Sequence, residues 1–182
     1  MRKEKNRTLM IETVSKRTKN ICYIGIGIAL YVVLGMSVKI PLVGHIQTDL
    51  SYAAFGAYLS IFGILGTLVG ACGCVIESLV YNSWFPHGWL LGQIFIGVAC
   101  GIVFKATKGI QNNKIRIVIY IITSIATLFT GVGLIKTIVE CYLYSIPFGI
   151  KFVKNCVAFL ADTPPMIVGV LIGNKIKNKI ND

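Results

Sequence analysis

The sequence predicts an all-α membrane protein of six transmembrane helices with the N and C termini cytoplasmic. Three observations carry the prediction. The 182 residues are 55% hydrophobic and 14% charged, with a mean hydropathy of +0.75, whereas soluble domains carry about 25% charged residues. The apolar residues fall into uncharged runs near the ~20 residues a helix needs to cross a bilayer. The basic residues cluster between these runs. The net charge of +11 therefore reads as membrane orientation and not as a nucleic-acid surface, because no soluble basic domain exists to carry it.

Residues 1–20, MRKEKNRTLMIETVSKRTKN, form a basic cytoplasmic arm, either a helix on the headgroups or a solvated tail that only sets orientation. They lack the features of a secretory signal. Residues 21–176 form the membrane domain and 177–182 a cytoplasmic tail. The first span is Ile21–Val38. Further spans are Gly88–Phe104, Ile117–Ile135 between Arg116 and Lys136, and Asn155–Asn174 with Asp162 inside it.

The remaining run lies between Asp49 and Glu77, with 27 uncharged residues. As one helix it would reach roughly 40 Å, beyond the ~30 Å hydrocarbon core. Positive-inside counting separates one span from two. With two, the arm, the loop carrying Lys105, Lys108, Lys114 and Arg116, and the tail share one side, holding 14 of the 18 basic residues. The reversal is expected at Phe62–Gly66, where glycine permits a tight turn. The outer connections then fall near 39–48, 82–87 and 136–152.

Small residues recur four apart at Gly25 and Ala29, Gly66 and Gly70, Gly97 and Gly101, and Gly169 and Gly173. In lipid this spacing lets helix backbones approach closely, within the bundle or against a partner protein.

Ionisable side chains within spans mark functional sites by default. Glu77 and Asp162 lie in the outer halves of their helices. Asp49 stands at the outer start of the second helix, where it can also cap it. Lys136, Glu140, Lys151 and Lys154 lie in or near the last outer connection. Lys151, Asn155 and Asp162 share one face if the last helix begins before Lys151, and Pro164-Pro165 should kink it just beyond. Trp84, His87 and Trp89 belong to the aromatic connection YNSWFPHGW, and Gln93 follows it. Tryptophan and tyrosine also serve simply as interfacial anchors, and Glu77 with Lys136 or Lys154 can be a structural ion pair. Taken together, these groups describe an outward-opening, aromatic-walled binding site for a small molecule.

No catalytic motif is present: HExxH, GxSxG and a phosphate loop are all missing. No cofactor is expected. Six cysteines occur without paired spacing. Cys72 and Cys74 with His45 and His87 are not expected to bind metal, since free cysteine behaves as a small buried hydrophobe. No energy source for a pump is encoded, and the inner half offers no polar path for a channel.

Three local features, GIGIA in the first helix, TDLSYAAFGAYL at the start of the second and FGILGTLVGACG at the turn, together with size and topology over residues 20 to 176, resemble the substrate-binding S components of energy-coupling factor (ECF) vitamin transporters. TDLSYA is similar to riboflavin-type members. The sequence departs from the family pattern at Gly25, where alanine is usual, and at Ile64, where proline is common. The resemblance implies capture of a water-soluble vitamin or related heterocycle outside, and inward delivery with a transmembrane T component and two cytoplasmic ATPases in the plasma membrane. It implies docking through Gly25 and Ala29. The vitamin itself does not follow from it: riboflavin and amine-bearing heterocycles both fit the residues. A stand-alone facilitator and a ligand-free structural or assembly protein are the alternatives.

Overall fold

A computed structural model of the chain describes residues 2–37, 39–43, 46–110 and 112–181; the side chains of 2–13, 16, 39–47, 82, 108, 180 and 181 are not described. His45 lies outside the described residues. The fold is almost wholly helical. Its elements in chain order are α1 (Arg2–Ser37), β1 (Lys39–Val43), β2 (Ile46–Asp49), α2 (Ser51–Phe62), α3 (Thr67–Asn82), α4 (His87–Ala106), α5 (Asn113–Leu128), α6 (Lys136–Tyr144) and α7 (Phe148–Asn181). Five segments are long and apolar enough to cross a membrane: Arg17–Ser37, Ser51–Tyr81, His87–Ala106, Asn113–Tyr144 and Phe148–Lys179. Ile21, Tyr142, Ile150 and Leu160 remain exposed, as lipid-facing helices require.

The segment Ser51–Tyr81 is not one straight helix. A 3-10 turn at Gly63–Gly66 divides it, and Gly63 has φ +61°, a conformation that side chains rarely adopt. A Cβ on Gly66 would strike the backbone of Tyr58 and Leu59, and one on Gly70 would strike the Phe55 ring. As one number rises the other falls, so α3 returns along α2.

Helices α2 and α7 run side by side in the same direction. Gly169 abuts the Ala53 carbonyl, Gly173 that of Ala57, and Gly56 that of Met166. Backbone meets backbone here because no side chain intervenes. Phe55, Leu59, Ile96, Phe104, Tyr120 and Met166 form the centre of the apolar core.

The observed boundaries correct several expectations. The 136–152 connection is instead helical at both ends. A π-helical stretch, Phe129–Ile135, leads from α5 straight into α6, and only residues 145–147 link α6 to α7. Charge does not end the helix, because Lys136 and Glu140 are partnered one turn apart. Helix α7 begins at Phe148, not Asn155, and runs through Pro164-Pro165 without a break. The basic arm is continuous with the first span as α1. Within the expected outer connection, β1 and β2 pair as an antiparallel ladder with Lys39 opposite Asp49. Asp49 thus ends β2, and α2 begins at Ser51. Its carboxylate still serves the helix start, accepting the Ser51 N–H at 2.9 Å.

Candidate functional site

One end of the bundle holds a cavity of about 370 Å³, within the range of small-molecule sites. Six helices and β2 contribute to it at positions their ends bring together. Tyr31 comes from α1, Thr48 and Asp49 from β2, Tyr52 from α2, and Cys74, Glu77 and Ser78 from α3. Trp84 precedes α4 and Trp89 lies in its first turn. Lys136, Glu140 and Tyr144 come from α6, and Lys151, Lys154, Asn155, Ala158 and Asp162 from α7.

The rim near α6 is a connected polar network. Lys136 Nζ donates to Asn155 Oδ1 at 2.8 Å and lies 3.9 Å from Glu140 Oε1. Lys151 Nζ reaches Glu140 Oε2 at 3.2 Å. Asn155 Nδ2 donates to Thr137 Oγ1 at 2.9 Å and to Glu140 Oε2 at 3.4 Å. Lys136 also sits 3.6 Å over the Trp89 ring, a cation–π contact that strengthens when desolvated. The helix ends allow this crowding at Gly88, whose missing Cβ leaves room for the stems of Lys136 and Glu140. Trp84 and Tyr144 meet edge to face at 6.2 Å between centroids, each beside a residue with left-handed backbone, Ser83 and Ser145.

The floor is different. Asp162, 1% exposed, accepts the Asp49 backbone N–H at 3.2 Å through Oδ1. Tyr52 is also 1% exposed, and its hydroxyl has no hydrogen-bond partner. Tyr31 accepts a hydrogen bond from Gln93 Nε2 at 3.1 Å. The Glu77 carboxyl group packs against Gly35 of α1.

Nine of the eleven residues selected from sequence as a binding site therefore line one cavity: Asp49, Glu77, Trp84, Trp89, Lys136, Glu140, Lys151, Asn155 and Asp162. Two do not. His87 is exposed and meets Phe85 edge to face at 4.8 Å between centroids. Gln93 is buried behind the wall and reaches the cavity only through Tyr31. Sequence reading missed Tyr31, Tyr52, Cys74, Ser78 and Tyr144, which sit in apolar runs and carry no charge to mark them. Thr48 was overlooked as part of a connection. Gly25 and Ala29 lie on the exposed side of α1, and a Cβ on Gly25 would meet nothing within 4 Å. Among the described residues no group of three His, Cys, Asp or Glu side chains is arranged to hold a metal ion.

Comparison with known proteins agrees with this architecture. Residues 15–180 match the family model described as ECF-type riboflavin transporter, S component. A UPF0397 protein of Lactococcus lactis subsp. cremoris is 31% identical over 159 residues, 83% of each chain. A UPF0397 protein of Streptococcus thermophilus is 25% identical over 149 residues, 80% of this chain and 82% of its own. Among solved structures, the S-component for biotin from an ECF-type ABC transporter superposes with a TM-score of 0.62 at 18% identity, covering 90% of this chain and 93% of that one. That likeness concerns the fold. The family is one of multi-pass membrane transport subunits, not of enzymes. With a family model matching residues 15–180 and a fold like that of a solved S-component, the chain belongs to the ECF-type riboflavin transporter S component family.

Proposed function

We propose that this protein is the substrate-capture subunit of an ECF-type importer in the bacterial plasma membrane. It binds a water-soluble vitamin or related heterocycle and delivers it inward with a T component and two cytoplasmic ATPases. The observation that carries the reading is the cavity itself: buried and half-buried polar groups between aromatic walls, at one end of an otherwise apolar bundle. Such charges inside a membrane protein are costly and are kept where they contact a substrate or each other.

In this reading the chain crosses the membrane six times, the Ser51–Tyr81 segment counting twice about the Gly63–Gly66 turn. Both termini are cytoplasmic and the cavity faces outward. The asymmetry of the basic residues supports that orientation. The exposed Gly25 and Ala29 on α1 are the docking surface for the T component, a small-residue pair that permits close approach, with open space beside Gly25.

Uptake of a labelled vitamin panel by cells expressing the protein tests the proposal. Accumulation should require co-expressed T component and ATPases. Uptake that persists without them would identify a stand-alone facilitator instead. No binding of any panel member by the purified protein would leave a structural role.

A further inference from the structure

The rim and the floor of the cavity differ in how far their charges are satisfied. At the rim, Glu140 lies between Lys136 and Lys151, and Asn155 joins them. At the floor, Asp162 is buried, and among the described residues its hydrogen-bond donor is the Asp49 N–H. An ionised carboxylate has about four acceptor sites, so most of its capacity is unused. Among the described residues no cationic side chain lies within ion-pair distance of Asp162 or Asp49. Lys136, which lines the same cavity, is engaged with Asn155 and Glu140. Beside Asp162, the Tyr52 hydroxyl is buried and unpartnered.

Water can serve these groups when no ligand is bound. A ligand that displaces that water has to reproduce its hydrogen bonds or lose affinity. A ligand edge made only of acceptors would leave a buried carboxylate without donors, the arrangement that hydrogen-bond energetics penalises most. A basic N–H edge supplies both the charge and the donors, and a carboxylate takes such an edge in short, charge-assisted bonds. Tyr31, Tyr52, Trp84, Trp89 and Tyr144 are the aromatic residues of the cavity wall, against which a ring can pack.

We infer that the cavity selects a heteroaromatic compound with a basic amino or amidine-type edge, which enters edge-first and donates to Asp162, with the Tyr52 hydroxyl as its second partner. The inference rests on the reading of the cavity as a substrate site and narrows the substrate within it.

Matched pairs of probes test it, on full-length protein in lipid nanodiscs: thiamin with oxythiamin, and pyridoxamine with pyridoxine, alongside riboflavin and biotin, which carry no basic amine. The amine member of at least one pair should bind roughly 10- to 150-fold tighter than its oxygen counterpart. Asp162→Asn should remove that preference, since the amide can donate to the oxygen analogue instead. Tyr52→Phe, which deletes only the hydroxyl, should reduce it and guards against a misfolded first variant. Tighter binding of riboflavin or biotin than of every amine probe, lack of discrimination within both pairs, or a preference untouched by both variants would overturn the inference while leaving the capture role standing. Binding of no probe, with no small molecule co-purifying, would overturn both together.

Discussion

The two ends of the α2–α7 contact are built on opposite principles. Toward the middle of the bundle, Gly56, Gly169 and Gly173 bring backbone against backbone, with Ala53 and Ala57 opposite. At the cavity end Tyr52 of α2 and Asp162 of α7 meet Asp49 at the end of β2, whose N–H donates to Asp162, while the Tyr52 hydroxyl is left without a partner among the described residues. The packed end is satisfied and the open end is not. The first makes the second possible: Tyr52 directly precedes Ala53, and Asp162 lies seven residues, or about two helical turns, before Gly169. A seam that tolerates no side chain fixes where the buried carboxylate stands, and the floor can remain unpartnered because it is held from below.

The comparison can be broken most severely from the packed end. Gly169→Leu should destabilise the protein by about 3 kcal/mol or more, because the new side chain meets the Ala53 carbonyl and neither backbone can withdraw. Thermal unfolding followed by size-exclusion should show a large loss of monodisperse protein, with ligand binding lost along with it.

At the open end the effect should be functional and not structural. Asp162→Ala should weaken ligand binding roughly 10- to 150-fold, while insertion and elution stay as in the parent. A loss of fold equal to that of Gly169→Leu would make Asp162 a structural residue.

A smaller effect is expected on the far side of α1. A Cβ on Gly25 meets nothing within 4 Å, so binding by Gly25→Leu, measured by titration, should be unchanged. Transport should fall roughly fivefold or more if the pair is a docking surface, by analogy with the 1–2 kcal/mol worth of membrane helix contacts. Normal uptake would remove Gly25 from the interface.

The smallest effect belongs to His87→Ala. The ring lies outside the cavity against Phe85, and affinity should stay within about twofold, as for other surface changes.

The sequence reveals the helices more readily than it reveals the walls of the site. Uncharged runs mark spans because lipid penalises charge, and the glycines at 63 and 66 mark the turn because few other residues fit it. By local pattern, Lys136 and Glu140 mark the end of a span, yet an ion pair one turn apart, closed by Asn155 of α7, lets the helix continue to Tyr144. That partner is 19 residues away from Lys136, so no local pattern announces it. Asp162 and Asn155 were legible as polar residues in apolar surroundings. Tyr31 and Tyr52 were not, because a tyrosine in an apolar run looks the same whether its hydroxyl is anchored, buried in the core or turned to a cavity. Only the packing of α1 and α2 against their neighbours separates these cases.

The central claim is that the cavity holds a small heterocyclic molecule through its floor. Mass spectrometry of the protein purified from cells grown in rich medium tests it most directly, with Asp162→Ala purified in parallel. The account predicts a stoichiometric heterocycle released from the parent and lost from the variant. No small molecule in the parent, together with no thermal shift across a vitamin panel, would contradict it.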